Sequence, residues 1–458
     1  MNILIVGNGF DLSHYLPTKY DHFMVAMDAI ENWEVSKEEM RFDDLFEKDY
    51  WHKDEESGAD WQNSFFQHTK ALYKTDEVKI SVDQIETLKK QLKENVWYQY
   101  FSDHVREVQT WIDIENKIEE ILLSFAHLLP FIERINHQSQ HAFKHNQFDT
   151  EVGKRNSIVL KKFDLFEDKG IYKGFNSKFC YGKNDKNGVN PSLFLDFLSR
   201  KLDEFIEIFN LYLELIVSKL SRTSDFSFEI DNWIDPEKIY SFNYTNTYER
   251  IHNSVKIEYL HGQHGEQQNI VLGISDVEDE YLKKLKAYGF TKYHQKLFKV
   301  TDYLFLSEIV DHFFSTERTK KTLEDEINTY LDNPMLTSDV YFRAMFDAKR
   351  NDFMLLSMST EETYNITVWG HSLDRSDANY IREIFSFNGV LIEHRCNVVI
   401  YYFNEQAKFD LLNNLLDIIG KIIIEKWMKK GWLKFEKNPD IAKLNGIEPV
   451  ELPKYKAS

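Results

Sequence analysis

At about 150 residues per domain, a chain of 458 residues holds two or three units, or one α/β domain with large insertions. Hydrophobic residues make up 42% and aromatics 15%, which excludes a chain disordered throughout, while only 17 Gly and 8 Pro argue against collagen, Pro-rich scaffolds and turn-dense all-β sandwiches. The formal net charge of −19 argues against steering to nucleic acid or an anionic membrane, and the two cysteines, Cys180 and Cys396, exclude a disulfide framework and a four-cysteine zinc site.

In chain order, Asn2 to Val6 is a mostly apolar run ending in Gly7-Asn8-Gly9, the pattern of a fully buried strand entering a glycine turn. Residues 20–160 are mostly helical, with apolar three and four spacing in Asp83 to Leu92 and Glu107 to Phe131. Asp149 to Asn190 is polar and reads as an insertion or long loop. Residues 192–220 carry one apolar stripe through Leu202, Phe205, Ile206, Phe209, Leu213, Ile216, Val217 and Leu220, a strong helix. Short strands follow at Lys238 to Phe242, Lys256 to Leu260 and Asn269 to Gly273. Residues 280–350 return to charged helix. A strand at Tyr364 to Gly370, a helix at Ser376 to Phe387, a strand at Asn397 to Phe403 and a final helix at Ala407 to Trp427 complete the pattern. The tail from Lys426 is Lys-rich and shows none. No apolar run approaches the ~20 residues that span a bilayer, and the N-terminus has no basic region ahead of its short apolar run. A soluble, cytoplasmic protein is expected.

Strands followed by turns and helices predict a parallel α/β sheet with helical insertions. The expected core is 1–19 plus 232–279 plus 351–428. Insertions fill 20–231 and 280–350, and 429–458 is a tail.

Four clusters sit where strands end, the place where open α/β sheets bind ligands. Gly7-Asn8-Gly9-Phe10-Asp11 would let backbone approach a phosphate, although Leu12 stands where a dinucleotide fingerprint has its third glycine. A ligand-free tight turn fits the same residues. Ser241-Phe242-Asn243-Tyr244-Thr245-Asn246-Thr247 offers in Asn243 an amide that donates and accepts at once, or else a helix cap. His261-Gly262, with His264 close by, offers a proton acceptor, a structural histidine or a metal ligand. Gly370-His371-Ser372-Leu373, with Asp374 and Asp377, is a fourth strand–glycine–helix junction. Its amides and Ser372 could face phosphate or ribose, and Ser376 or Asp377 could cap the next helix. Cys396, in a strand, reads as core.

Together and in this order, Gly7-Asn8-Gly9-Phe10-Asp11 with Leu16-Pro17-Thr18, Phe242 to Thr247, His261-Gly262, and Gly370 to Leu373 with Asp377 resemble the abortive-infection AbiH family of bacterial anti-phage proteins. That family is similar to sirtuin-like NAD-binding domains, which open with a Gly-Ala-Gly-x-Ser turn, continue with an Asn-bearing segment and a His-Gly pair, and close with Gly-x-Ser. Asn8 replaces the alanine, Asp11 the serine, and Thr245 the aspartate after the Asn-Tyr pair. Asp11 would repel a phosphate; it could instead bind a ribose hydroxyl or signal another ligand.

The resemblance implies a parallel Rossmann-like (sirtuin-like) sheet and hydrolysis of NAD to ADP-ribose and nicotinamide when phage is sensed. It implies Asn243 and His261 as the catalytic pair, and Gly7, Asn8, Gly9, Phe10, Asp11, Thr245, Gly370, His371, Ser372 and Asp377 as nucleotide contacts. NAD is then substrate, no metal is expected, and a phage trigger, a homo-oligomer and no membrane or nucleic-acid partner are expected. Two alternatives stand beside it. One is a metal-dependent nuclease built on Asp11, His261, His264 and Asp377, and the other is a nucleotide-binding sensor without turnover.

Overall fold

The computed structural model describes residues 1–34, 38–46, 61–104, 111–137, 142–144, 150–169, 172–182, 188–223, 226–227, 230, 233, 235–252, 255–333, 340–359, 363–388 and 396–447. Its centre is a six-stranded sheet. The strands are β1 (Asn2–Val6), β2 (Lys238–Ser241), β3 (Ile257–Tyr259), β4 (Tyr364–Trp369), β5 (Cys396–Tyr402) and β6 (Leu433–Lys437). Every pairing is parallel, and the spatial order is β3-β2-β1-β4-β5-β6. That order is the doubly wound one: the chain builds outward from β1 to β3, then crosses back to β4 and builds the other way.

β1 is central because its side chains can be buried on both faces. Ile5 stands opposite Tyr240 on one side and Val368 on the other. Side chains alternate across a strand, and the core divides accordingly. Leu4 and Val6 belong to one apolar cluster, and Ile3 and Ile5 to another. The first cluster is covered by the long helices that follow β1. In Pro191–Leu215 the expected stripe is buried, and the helix starts with a proline behind Asn190, whose side chain accepts from the Ser192 amide. The second cluster is covered by Ala378–Ser386 and the C-terminal helices. The α/β class and the parallel sheet with helical insertions are as expected from sequence.

Four local expectations are corrected. Asp149 to Asn190 is not a long loop, although Asp149 itself lies outside the described residues. It holds a helix, Glu151–Lys162, capped by Thr150, and the strands Phe166–Lys169 and Tyr172–Phe175, which join Ala142–Lys144 in a small antiparallel sheet. Asn269 to Gly273 forms no strand, because its backbone groups go elsewhere. The Val271 amide donates to the His261 carbonyl, and the Gln295 side chain takes both the amide and the carbonyl of Leu272. The final helix is two, Glu405–Ile418 and Lys421–Lys429, broken where Gly420 adopts φ +90°. The stretch read as a patternless tail supplies β6, whose Leu433 pairs with Val398. The helix expected from Glu107 is described from Trp111 to His137; Glu107 lies outside the described residues. Among the described residues no helix is long and apolar enough to cross a membrane.

Candidate active site

All four sequence clusters lie at the carboxyl edge of the sheet, beyond β1, β2, β3 and β4. The crossing point of a doubly wound sheet lies between β1 and β4, and there the two glycine turns meet. The Gly7 amide donates to the Trp369 carbonyl (3.1 Å) and the Gly9 amide to the Gly370 carbonyl (2.8 Å). A Cβ on Gly370, which has φ +75°, would stand 1.9 Å from the Phe10 nitrogen, and one on Gly7 would stand 2.6 Å from the Gly370 carbonyl. These glycines let two backbones touch. The amides of Gly7 and Gly9 are thereby engaged by protein carbonyls. Phe10 is 1% exposed and packs edge-on against Trp369, so it is part of the core. Asn8 is partly buried at the mouth of the turn, and Ser372 is exposed.

The expected residues fall into two groups. In the first, Asn243 donates from Nδ2 to the Gly7 carbonyl (2.9 Å), tying the end of β2 to the end of β1. Thr245 donates to Asp11 Oδ2 (2.5 Å), and Thr247 donates to Thr245 (3.1 Å). Asp11 is 1% exposed, and its Oδ1 has no hydrogen-bond partner. Burial pushes its carboxyl up to about 6 against the pull of Thr245, Thr247 and Arg250.

The second group is centred on Asp377. His261 Nε2 lies 3.0 Å from Asp377 Oδ1, and His371 Nε2 lies 3.5 Å from Oδ2. Lys292 Nζ stands 3.8 Å from Oδ1, 3.0 Å from Ser376 Oγ and 2.8 Å from Glu115 Oε1. Burial pushes the Asp377 carboxyl up, but Lys292 and the two histidines outweigh it and hold it well below the usual range. An ionised carboxylate only accepts, so both histidines present Nε2–H to it. His371 is fixed independently, since its Nδ1 accepts from the Leu373 amide at 2.9 Å. For His261 the same logic leaves the lone pair on Nδ1. Burial, helped by the nearby Lys296 ammonium, pulls His261 down to about 3, so the ring is neutral around pH 7. The Phe242 ring packs against both imidazoles, 5.0 Å from His261 and 4.1 Å from His371.

A neutral imidazole with one nitrogen anchored on a carboxylate and the other free is the arrangement of a general base. Asn243, His261, His371 and Asp377 are each only 5–7% exposed. Lys292, from the second helical insertion, reaches the same carboxylate and is paired there with Glu115 of the first. Neither stood out in the sequence, where a glutamate and a lysine on charged helices look like solvated surface. His264 is not part of the site, because its Nδ1 pairs with Glu214. The four residues of the metal-nuclease alternative therefore do not gather: Asp11 bonds Thr245, His264 bonds Glu214, and only His261 and Asp377 touch.

Among known families, that described as bacteriophage abortive infection AbiH matches residues 3–402. No curated protein and no solved structure matches the chain.

Proposed function

The chain belongs to the bacteriophage abortive infection AbiH family, and from that premise we propose that its contribution to abortive infection is the hydrolysis of NAD to ADP-ribose and nicotinamide. The observation that carries the reading is the His261–Asp377 pair at the carboxyl edge of a doubly wound parallel sheet, with Asn243 on the neighbouring strand end. Sheets of this order take nucleotides at that edge.

The bond that breaks joins the ribose C1′ to the nicotinamide nitrogen. Its electron pair leaves with nicotinamide and neutralises the cationic ring. The sugar becomes oxocarbenium-like, and water adds to C1′. His261 Nδ1 takes the proton of that water, or of a ribose hydroxyl during cleavage, while Asp377 stabilises the imidazolium that forms. Asn243 orients the water or the ribose by donating and accepting together. Asp11, with an unpartnered Oδ1, accepts from a ribose hydroxyl.

Because the four central side chains are nearly inaccessible, the proposal includes a closed resting state that a phage component opens. An enzyme that drains NAD has to be silent before infection. The test is nicotinamide release from NAD by the purified chain, alone and with extract of phage-infected cells. Asn243→Ala and His261→Ala should abolish release while leaving the circular dichroism spectrum unchanged. Full release by both variants would remove the assignment.

A further inference from the structure

The helix Lys292–Phe298 is turned inside out. Its polar side chains Lys292, Gln295 and Lys296 are 5%, 7% and 5% exposed, whereas Tyr293, Leu297 and Phe298 are 67%, 43% and 78% exposed. Helices normally bury the apolar stripe and solvate the lysines. This helix places two ammonium groups beside His261 and Asp377 and leaves its aromatic side chains in water.

The two lysines differ in their partners. Lys292 is matched by Glu115, with Asp377 close by. Lys296 has no carboxylate within 4.0 Å among the described residues. Its Nζ bonds the Tyr380 hydroxyl (3.0 Å) and lies over the Tyr380 ring, 4.4 Å from the centroid. A buried ammonium held only by a phenol is costly to the fold. Its charge reaches the catalytic pair, since Asp377 and Lys296 act on one another and Lys296 lowers His261. Burial draws Lys296 itself down to about 8, so it still carries a proton around pH 7.

A cation holds a phosphate more strongly than neutral donors do. The glycine-turn amides of Gly7 and Gly9 are already engaged by Trp369 and Gly370. The Asp377 carboxylate stands beside the site and would repel an anion. We infer that Lys296 is the anion-binding residue of the site, receiving a phosphate group of the nucleotide and directing it toward the His261 side. The inference rests on the reading of this edge as a nucleotide site, and adds to it the group that holds the charge. The fold holds this ammonium with no carboxylate in contact, and ligand phosphate, charged throughout the neutral range, is the contact counter-ion the site takes up. Charge-assisted bonds to phosphate are among the stronger polar contacts a protein makes.

The experiment uses the full chain, immobilised and opened with dialysed extract of phage-infected cells, and two labelled probes that differ only in their phosphates, ADP and adenosine, whose binding is measured to wild type, Lys296→Met and Lys296→Arg. Wild type is expected to hold ADP at least about tenfold more tightly than adenosine. Lys296→Met should lose that margin with adenosine affinity unchanged, and Lys296→Arg should keep most of it. Thermal unfolding separates this from a structural role: Lys296→Met should melt at the same or a higher temperature, since a buried ammonium in contact with a phenol and no carboxylate is replaced by an apolar chain of similar shape. ADP held no more tightly than adenosine by wild type, or an undiminished margin in Lys296→Met, overturns the inference. Lys296-dependent ADP binding in a protein that leaves NAD intact supports it and removes only the hydrolytic reading. NAD turnover with an unchanged KM in Lys296→Met does the reverse.

Discussion

Glu115 Oε1 and Lys292 Nζ stand 2.8 Å apart although they come from different helical insertions, and only 10% and 6% of their side-chain surfaces are exposed. The pair fastens both insertions to the carboxylate that holds His261. Removing one partner leaves the other charge buried and alone, which typically costs about 3–5 kcal/mol. Lys292→Met should therefore lower the stability of the chain by that amount in urea unfolding. It is the opposite of the outcome expected for Lys296→Met, on the same helix and four residues further along. Glu115→Gln should cost less, because its amide oxygen still accepts from Lys292.

Asp11 makes stability depend on pH with a definite sign. Its carboxyl is raised from 3.8 to about 6 in the folded chain, chiefly by burial. Between those values the folded state holds a proton that the unfolded state has lost. The stability that proton supplies is fully present below about pH 4 and is lost as pH rises through 6. Asp11→Asn carries no such proton. Its stability relative to wild type should rise across that window by up to about 3 kcal/mol. Melting temperatures of both proteins from pH 4 to 7 measure this, and a constant difference would remove the buried, raised carboxyl.

The contact of the two glycine turns should be intolerant of any side chain. Gly370→Ala combines a left-handed φ of +75° with a Cβ 1.9 Å from the Phe10 nitrogen. It is expected to yield no folded protein, or one weakened by more than about 3 kcal/mol. Gly289→Ala has nothing within 4 Å and no such φ, and should be neutral in the same expression and melting assay.

Much of the frame was legible because its signals are local. A continuous apolar run marks β1, and short strands running into Asn243, His261 and Gly370 mark the edge where β2, β3 and β4 stop. The partnerships across the edge were not legible. Asp377 looked like a helix cap or nucleotide contact, yet it pairs with a histidine 116 residues earlier. Lys292 and Lys296 fall within 280–350, where the sequence shows only charged helix. Only the inverted pattern of that helix, with Tyr293, Leu297 and Phe298 on its other side, could have hinted that the lysines point inward. β6 was missed because an edge strand alternating charged and apolar residues, Leu433-Lys434-Phe435-Glu436-Lys437, differs little from a Lys-rich tail.

Asp377 is a positioning residue in this account, and Asp377→Asn tests that role. The amide no longer accepts at both oxygens, so the His261 tautomer and orientation are lost. The kcat of nicotinamide release should fall on the order of 10²–10⁴-fold with little change in KM. In wild type, burial keeps His261 neutral down to about pH 3. Its ionisation should then put no inflection into the rate between pH 5 and 8, where an exposed histidine at its ordinary value would give one.

The most direct measurement is NAD and nicotinamide in phage-infected cells expressing the wild-type chain or His261→Ala at matched levels. Activity there does not depend on knowing the trigger. Infection is expected to lower NAD and release nicotinamide only with the wild-type chain. NAD that stays intact in both, or falls equally in both, would contradict a His261-centred NAD hydrolase.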